Sequence, residues 1–168
     1  MSASIPLRPE PTAEQSEAAV VELFAVLYSR TVEEMRRKFG EEAYEIARIA
    51  FLDSMLEGWK KAYDALPDRT LKTYVDWLTS IVTTGTRYEI VEKSESSVRF
   101  KFSVCPWATY FRKIGKPEIG RFFCDADKPM VEAFNESIGF EIHKTLMNGD
   151  EYCDHHFFVK GKETAGSR

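Results

Sequence analysis

The hydrophobic pattern of this chain first changes period at Thr86, and that change constrains the fold more than any other feature. Before it, apolar residues recur at helical spacing in three runs: Val20, Leu23, Phe24, Leu27 and Tyr28, then Ala43, Ile46, Ala47, Ala50, Phe51, Met55 and Trp59, then Leu71, Tyr74, Val75, Leu78, Ile81 and Val82. After it, Val98, Phe100, Phe102 and Val104 alternate with polar residues, the period of a strand with one buried face. Three helices ahead of the first strand predict an α+β fold. Its N-terminal amphipathic helices pack on an antiparallel sheet of at least four strands, with a helical insert between two hairpins.

Boundary signals give this outline its limits. Thr12 with Gln15 matches a capping box, and the first helix can run to Gly40 with a break expected near Thr31. The second starts at Glu41 and ends before Pro67. Asp68 is the expected cap of the third, which keeps its period to Gly85. Residues 87–92 and 97–104 pair across the polar turn 93–96. Pro106 and Pro117 each suit the first position of a helix, and Asp127, ahead of Pro129, reads as the N-cap of a last short helix to Phe134. Asn148-Gly149, between residues 138–147 and 150–159, is a strong signal for a two-residue hairpin turn. Residues 1–11 read as a flexible leader, 12–159 as a single domain with a helical part (12–85) and a cysteine-bearing part (86–159), and 160–168 as a flexible tail.

Composition excludes several classes. A chain of 168 residues, 43% hydrophobic and 30% charged, has enough apolar surface for one core. Its net charge of -4, with Lys and Arg scattered among acids, argues against nucleic acid as a partner. The polar N-terminus with Pro6, Pro9 and Pro11 is unlike a signal peptide, and no stretch approaches the roughly 20 apolar residues of a spanning helix. A soluble, cytoplasmic protein without a membrane partner is expected, and the aromatic helix faces suit a homodimer.

Three cysteines, Cys105, Cys124 and Cys153, are an odd number in a chain without an export signal, and read as thiols. A two-residue turn at Asn148-Gly149 sets Lys144 opposite Cys153, Ile142 opposite His155 and Glu141 opposite His156. Cys153, His155 and Phe157 then share an apolar face with Phe140, Ile142 and Leu146. Lys144 beside Cys153, and a helix start beside Cys105, would each favour a reactive thiolate. Cys124 stands three residues before Asp127. The plainer alternatives stay open: free cysteines are often inert core residues, Asp127 can be only a cap, and His143 and His156 can be solvated or salt-bridged. Cys105, Cys124 and Cys153 with His155 also form a potential zinc-binding set, although they lack the short paired spacing of zinc ribbons. There is no glycine-rich phosphate loop, His-Glu-x-x-His helix or Gly-x-Ser-x-Gly elbow.

The order of Cys105, the run from Lys116 to Gly120, Cys124-x-x-Asp127 and Gly149-Asp150-x-x-Cys153-Asp154 resembles the L-2-amino-thiazoline-4-carboxylic acid hydrolase family, over roughly residues 86–159. The resemblance implies a hydrolase that opens a small cyclic C–N/C–S substrate to N-carbamoyl-L-cysteine. In that reading Cys124 is the nucleophile, Asp127 or His155 moves protons, and Cys105 and Cys153 share the site. Lys144, or Arg99 if it turns inward, would hold the substrate carboxylate. No cofactor is required, and a divalent metal such as zinc on the three cysteines is the other catalytic route. A non-catalytic small-molecule or zinc-binding sensor domain, using the same cysteines as ligands, is the competing reading.

Overall fold

In a computed structural model, which describes residues 10–82 and 84–161, Thr12 opens the first helix as its spacing predicts. The Thr12 side chain accepts from the Gln15 amide and the Gln15 side chain accepts from the Thr12 amide, so helix α1 (Ala13–Phe39) begins with two satisfied donors. No break occurs at Thr31: the helix runs through it, and its hydroxyl donates to the Leu27 carbonyl of the preceding turn at 3.0 Å. Gly40, at φ 83°, ends α1 and leads into α2 (Glu41–Tyr63). The cap of α3 (Leu71–Ile81) is Thr70, not Asp68. The Asp68 carboxylate instead accepts from the Thr70 amide at 2.9 Å and fixes that cap. Helix α3 stops four residues short of Gly85, where Val82 turns extended.

Strands β1 (Arg87–Lys93) and β2 (Ser97–Val104) form the expected hairpin. Pro106 opens α4 (Pro106–Lys113), and Pro117 opens α5 (Pro117–Phe134). Pro129 lies inside α5 and does not start a new helix. Its missing N–H removes one bond to the turn before it, and the helix continues on either side. Asp127 is therefore a mid-helix residue and caps nothing.

Strands β3 (Ile138–Glu141) and β4 (His156–Val159) pair antiparallel, and the sheet order is β1-β2-β4-β3. Their register, Phe140 with Phe157 and Glu141 with His156, is the one that a two-residue turn at Asn148-Gly149 predicts. The turn itself is absent. After Glu141 the chain leaves the ladder, because local acceptors capture its amides. Asp154 Oδ1 accepts from His143 and Lys144, and Asp150 Oδ2 accepts from Thr145. The Thr145 hydroxyl caps a 3-10 turn at Leu146–Asn148, and Gly149 follows in the left-handed region at φ 102°. Cys153 consequently pairs with Phe102 on β2, not with Lys144.

Two apolar cores result. One holds the inner face of the sheet (Val98, Phe100, Phe157) against α3 and the end of α5. The other packs α1, α2 and α4 against the start of α5, through Ala25, Ala47, Phe111 and Phe122. Helix α5 belongs to both. Its Gly120 lets the 3-10 turn approach, since a Cβ there would lie 2.6 Å from Met147 Sδ and 2.7 Å from Phe111 Cβ. Among the described residues no helix is long and apolar enough to cross a membrane.

Candidate active site

At the seam between the two cores lies a cavity of about 210 Å³, and all three thiols line it. Cys153 belongs to the sheet core, whereas Cys105 and Cys124 pack against the helical core. Cys105 is the residue before α4, in extended conformation ahead of Pro106. Cys124 and Asp127 are one turn apart on α5, so both reach the same face. Cys153 is held by its bridge to Phe102, and its Sγ accepts from the Leu146 amide at 3.2 Å. His155 follows on the same segment, its ring against Phe102 at 4.8 Å and Phe140 at 5.3 Å between centroids.

The His155 Nε2 lies 3.8 Å from Asp127 Oδ2, too far for a hydrogen bond, and neither side chain has another hydrogen-bond partner among the described residues. Their side chains keep 16% and 25% of their surface accessible, and both line the cavity. Burial sets the charge state of each group. It pushes the Asp127 carboxyl up to about 7, with the nearby Asp125 adding to the rise. It brings the His155 imidazole down to about 4, against a smaller opposing pull from Asp154. Near neutral pH the pair carries at most one negative charge.

The thiols behave opposite to expectation. Burial raises Cys105 even though it stands at a helix start, where the Trp107 and Ala108 amides favour the thiolate. Cys153 rises to about 11 through burial, against the Leu146 amide. Cys124 is held well above the ordinary thiol range, by burial first and the Asp127 charge second. All three are neutral thiols at rest, and an attacking thiolate requires a base beside it.

The two cations expected to bind a carboxylate are elsewhere. Strand alternation points Arg99 away from inward-facing Val98 and Phe100, and its Nε donates to Glu92 at 2.9 Å. Lys144 leaves with the excursion after β3, donates to the Tyr152 hydroxyl at 3.1 Å, and is exposed. Neither lines the cavity. The three cysteines share the cavity without forming a metal-ligand set: among the described residues, no three His, Cys, Asp or Glu side chains are grouped to hold a metal ion.

The apolar periodicity of the N-terminal helices reads as core and misses their part in this site. Met55 and Trp59 from α2, Leu78 and Ile81 from α3, and Trp107 from α4 form its walls. A larger groove of about 800 Å³, lined by Arg69, Lys72, Lys93 and Asn135 among others, contains none of the thiols or histidines. The three thiols, Asp127 and His155 all line the smaller one.

Fold and site together define an α+β domain with a thiol-lined cavity and an acid–imidazole pair that has no hydrogen-bond partner among the described residues. The chain belongs to the L-2-amino-thiazoline-4-carboxylic acid hydrolase family, whose sequence profile matches residues 21–157. No curated protein matches it significantly. Among solved structures it is similar to a trafficking protein particle complex subunit 3 from Naegleria fowleri, covalently bound to palmitic acid. The TM-score is 0.49 and the identity 12%, over 84% of this chain and 96% of that one, a level that informs on neither ligand nor activity.

Proposed function

We propose that the cavity hydrolyses a small cyclic C–N/C–S substrate of the 2-amino-thiazoline type, with Cys124 as nucleophile and Asp127 as the group that moves protons. The observation that carries this reading is that Cys124, Asp127 and His155 line one cavity in which, among the described residues, the acid and imidazole have no other partner. A carboxyl that titrates near neutrality is matched to general acid–base work, and a base is what a neutral thiol lacks.

The chemistry balances with these residues alone. Asp127 takes the Cys124 proton as sulfur adds to C2, and returns it to the ring nitrogen. The C2–S bond breaks as the nitrogen lone pair forms C=N, and the departing ring sulfur leaves as a thiol with the proton that this nitrogen gives up, relayed by Asp127 or His155. Water then adds to the carbon held on Cys124, gives its proton to the same pair, and expels the Cys124 thiol, leaving the urea of N-carbamoyl-cysteine type.

Turnover assayed with Cys124→Ala and Asp127→Asn tests this. Loss of at least ~100-fold in kcat for each is expected, with circular dichroism unchanged. Retained ring opening by Cys124→Ala would end the covalent route. A second reading, a non-catalytic small-molecule-binding domain, is favoured by the neutral resting state of every thiol. Binding without turnover in the wild type, or stoichiometric zinc lost on changing one cysteine, would support that reading or its zinc-binding form.

A further inference from the structure

We infer that the cavity selects an uncharged, largely apolar ligand, an alkyl or acyl body carrying one neutral electrophilic group, and rejects carboxylates. The inference rests on the reading of this cavity as the substrate site, and it departs from the amino-acid carboxylate in the family's description.

Three observations carry it. The walls are apolar: Met55, Trp59, Leu78, Ile81 and Val82 line one side, and the inner sheet face supplies Phe102 and Phe157. Among the described residues, no Lys or Arg lines the cavity, and the two expected to hold a carboxylate are committed outside it, Arg99 to Glu92 and Lys144 to Tyr152. The polar groups that line it, Asp127, His155, the three thiols, the Thr86 and Tyr74 hydroxyls and the indole N–H groups of Trp59 and Trp107, include neutral donors and an acid whose ionised form repels an anion, but no fixed positive charge. A carboxylate placed there would lose part of its hydration and meet no cation, a penalty that apolar contact does not offset. An uncharged group can accept from a thiol or from protonated Asp127, and gains from burial of its alkyl part.

The test uses the full chain and a matched pair of probes, hexanamide and hexanoate, at a pH where hexanoate is ionised. Tryptophan fluorescence reports occupancy, because Trp59 and Trp107 line the cavity. Hexanamide is expected to bind at least ~10-fold more tightly than hexanoate. Met55→Arg, which adds a cation to the wall, is expected to narrow or invert that ratio. Equal or tighter binding of hexanoate to the wild type, or binding of neither probe, overturns the inference. If Met55→Arg does not fold, the wild-type pair still decides.

A separate turnover comparison keeps this outcome apart from that of the catalytic reading. Ring opening of L-2-amino-thiazoline-4-carboxylate as fast as that of its neutral methyl ester would overturn the selectivity and leave thiol catalysis standing. Selective binding of hexanamide with no turnover of either thiazoline would do the reverse.

Discussion

His155 and His156 are neighbours in sequence and stand on opposite faces of one sheet. The ring of His155 lies inside, among Phe102, Phe140 and Phe157, with Asp127 at 3.8 Å and no hydrogen-bond partner among the described residues. The ring of His156 lies outside the core in a network of the protein's own groups. Its Nε2 is 3.1 Å from Ser97 Oγ, and its Nδ1 is 3.5 Å from Glu141, aligned too poorly for a hydrogen bond. Burial lowers the pKa of both imidazoles. Arg99 adds to the effect at His156, whereas Glu141 opposes it. The outer set resembles a Ser–His–acid arrangement, but Ser97 already donates to Glu92 at 2.6 Å and no cavity described above includes it. The outer groups bond to one another except at the buried His156 Nδ1, while the acid and imidazole inside have no hydrogen-bond partner among the described residues.

Substitutions on the two faces should differ in size. The largest effect is expected from Phe157→Ala, which removes a buried ring that packs on Tyr74, Phe100 and Phe140, at a cost of about 3–5 kcal/mol by urea unfolding. A loss under ~1 kcal/mol would mean that the inner face is loosely packed and the contrast misplaced.

The pH dependence of stability separates the two inner groups. The His155 pKa falls from 6.5 to about 4 on folding, so the unfolded chain binds more protons between those values, and this contribution to stability rises with pH. The Asp127 pKa rises from 3.8 to about 7, so the folded chain binds more protons, and its contribution falls as pH rises. The two oppose each other in the wild type between pH 4 and 6.5. Asp127→Asn should leave a stability that climbs with pH across that window, and His155→Phe one that declines, each by about 2 kcal/mol. Parallel slopes in the two variants would show that one assigned charge state is wrong. The smallest effect belongs to the outer face: Ser97→Ala should leave turnover within about twofold and stability within about 1 kcal/mol. A large loss of turnover there would relocate the chemistry to the outer set.

Local chemistry explains what was readable in the chain. The Thr12–Gln15 box, the β1–β2 hairpin and the β3–β4 register all follow from spacing, because each is decided by neighbours in sequence or by a face that must be buried. Asn148-Gly149 misleads as a hairpin turn because Asp150, Asp154 and Thr145 offer amides a closer acceptor than the opposite strand does. Asp127 reads as a cap because proline usually marks a helix start. Its position inside α5 follows from packing on two cores at once. The family and the thiol-bearing strand face are legible. The neutral state of the thiols is not, since burial outweighs the helix start at Cys105 and Lys144 lies outside the cavity. Nor are the cavity walls, because helical periodicity marks an apolar face without telling whether it meets another side chain or a void.

Helix α5 runs from one core into the other with the cavity at its midpoint, and this has a mechanical consequence. The two halves of the molecule share one spine, so neither can melt while the other keeps its helix intact. Heat should therefore undo the domain in a single step. Any compound that fills the seam should shift that one transition as a whole, which makes thermal shift a direct screen for whatever the cavity holds.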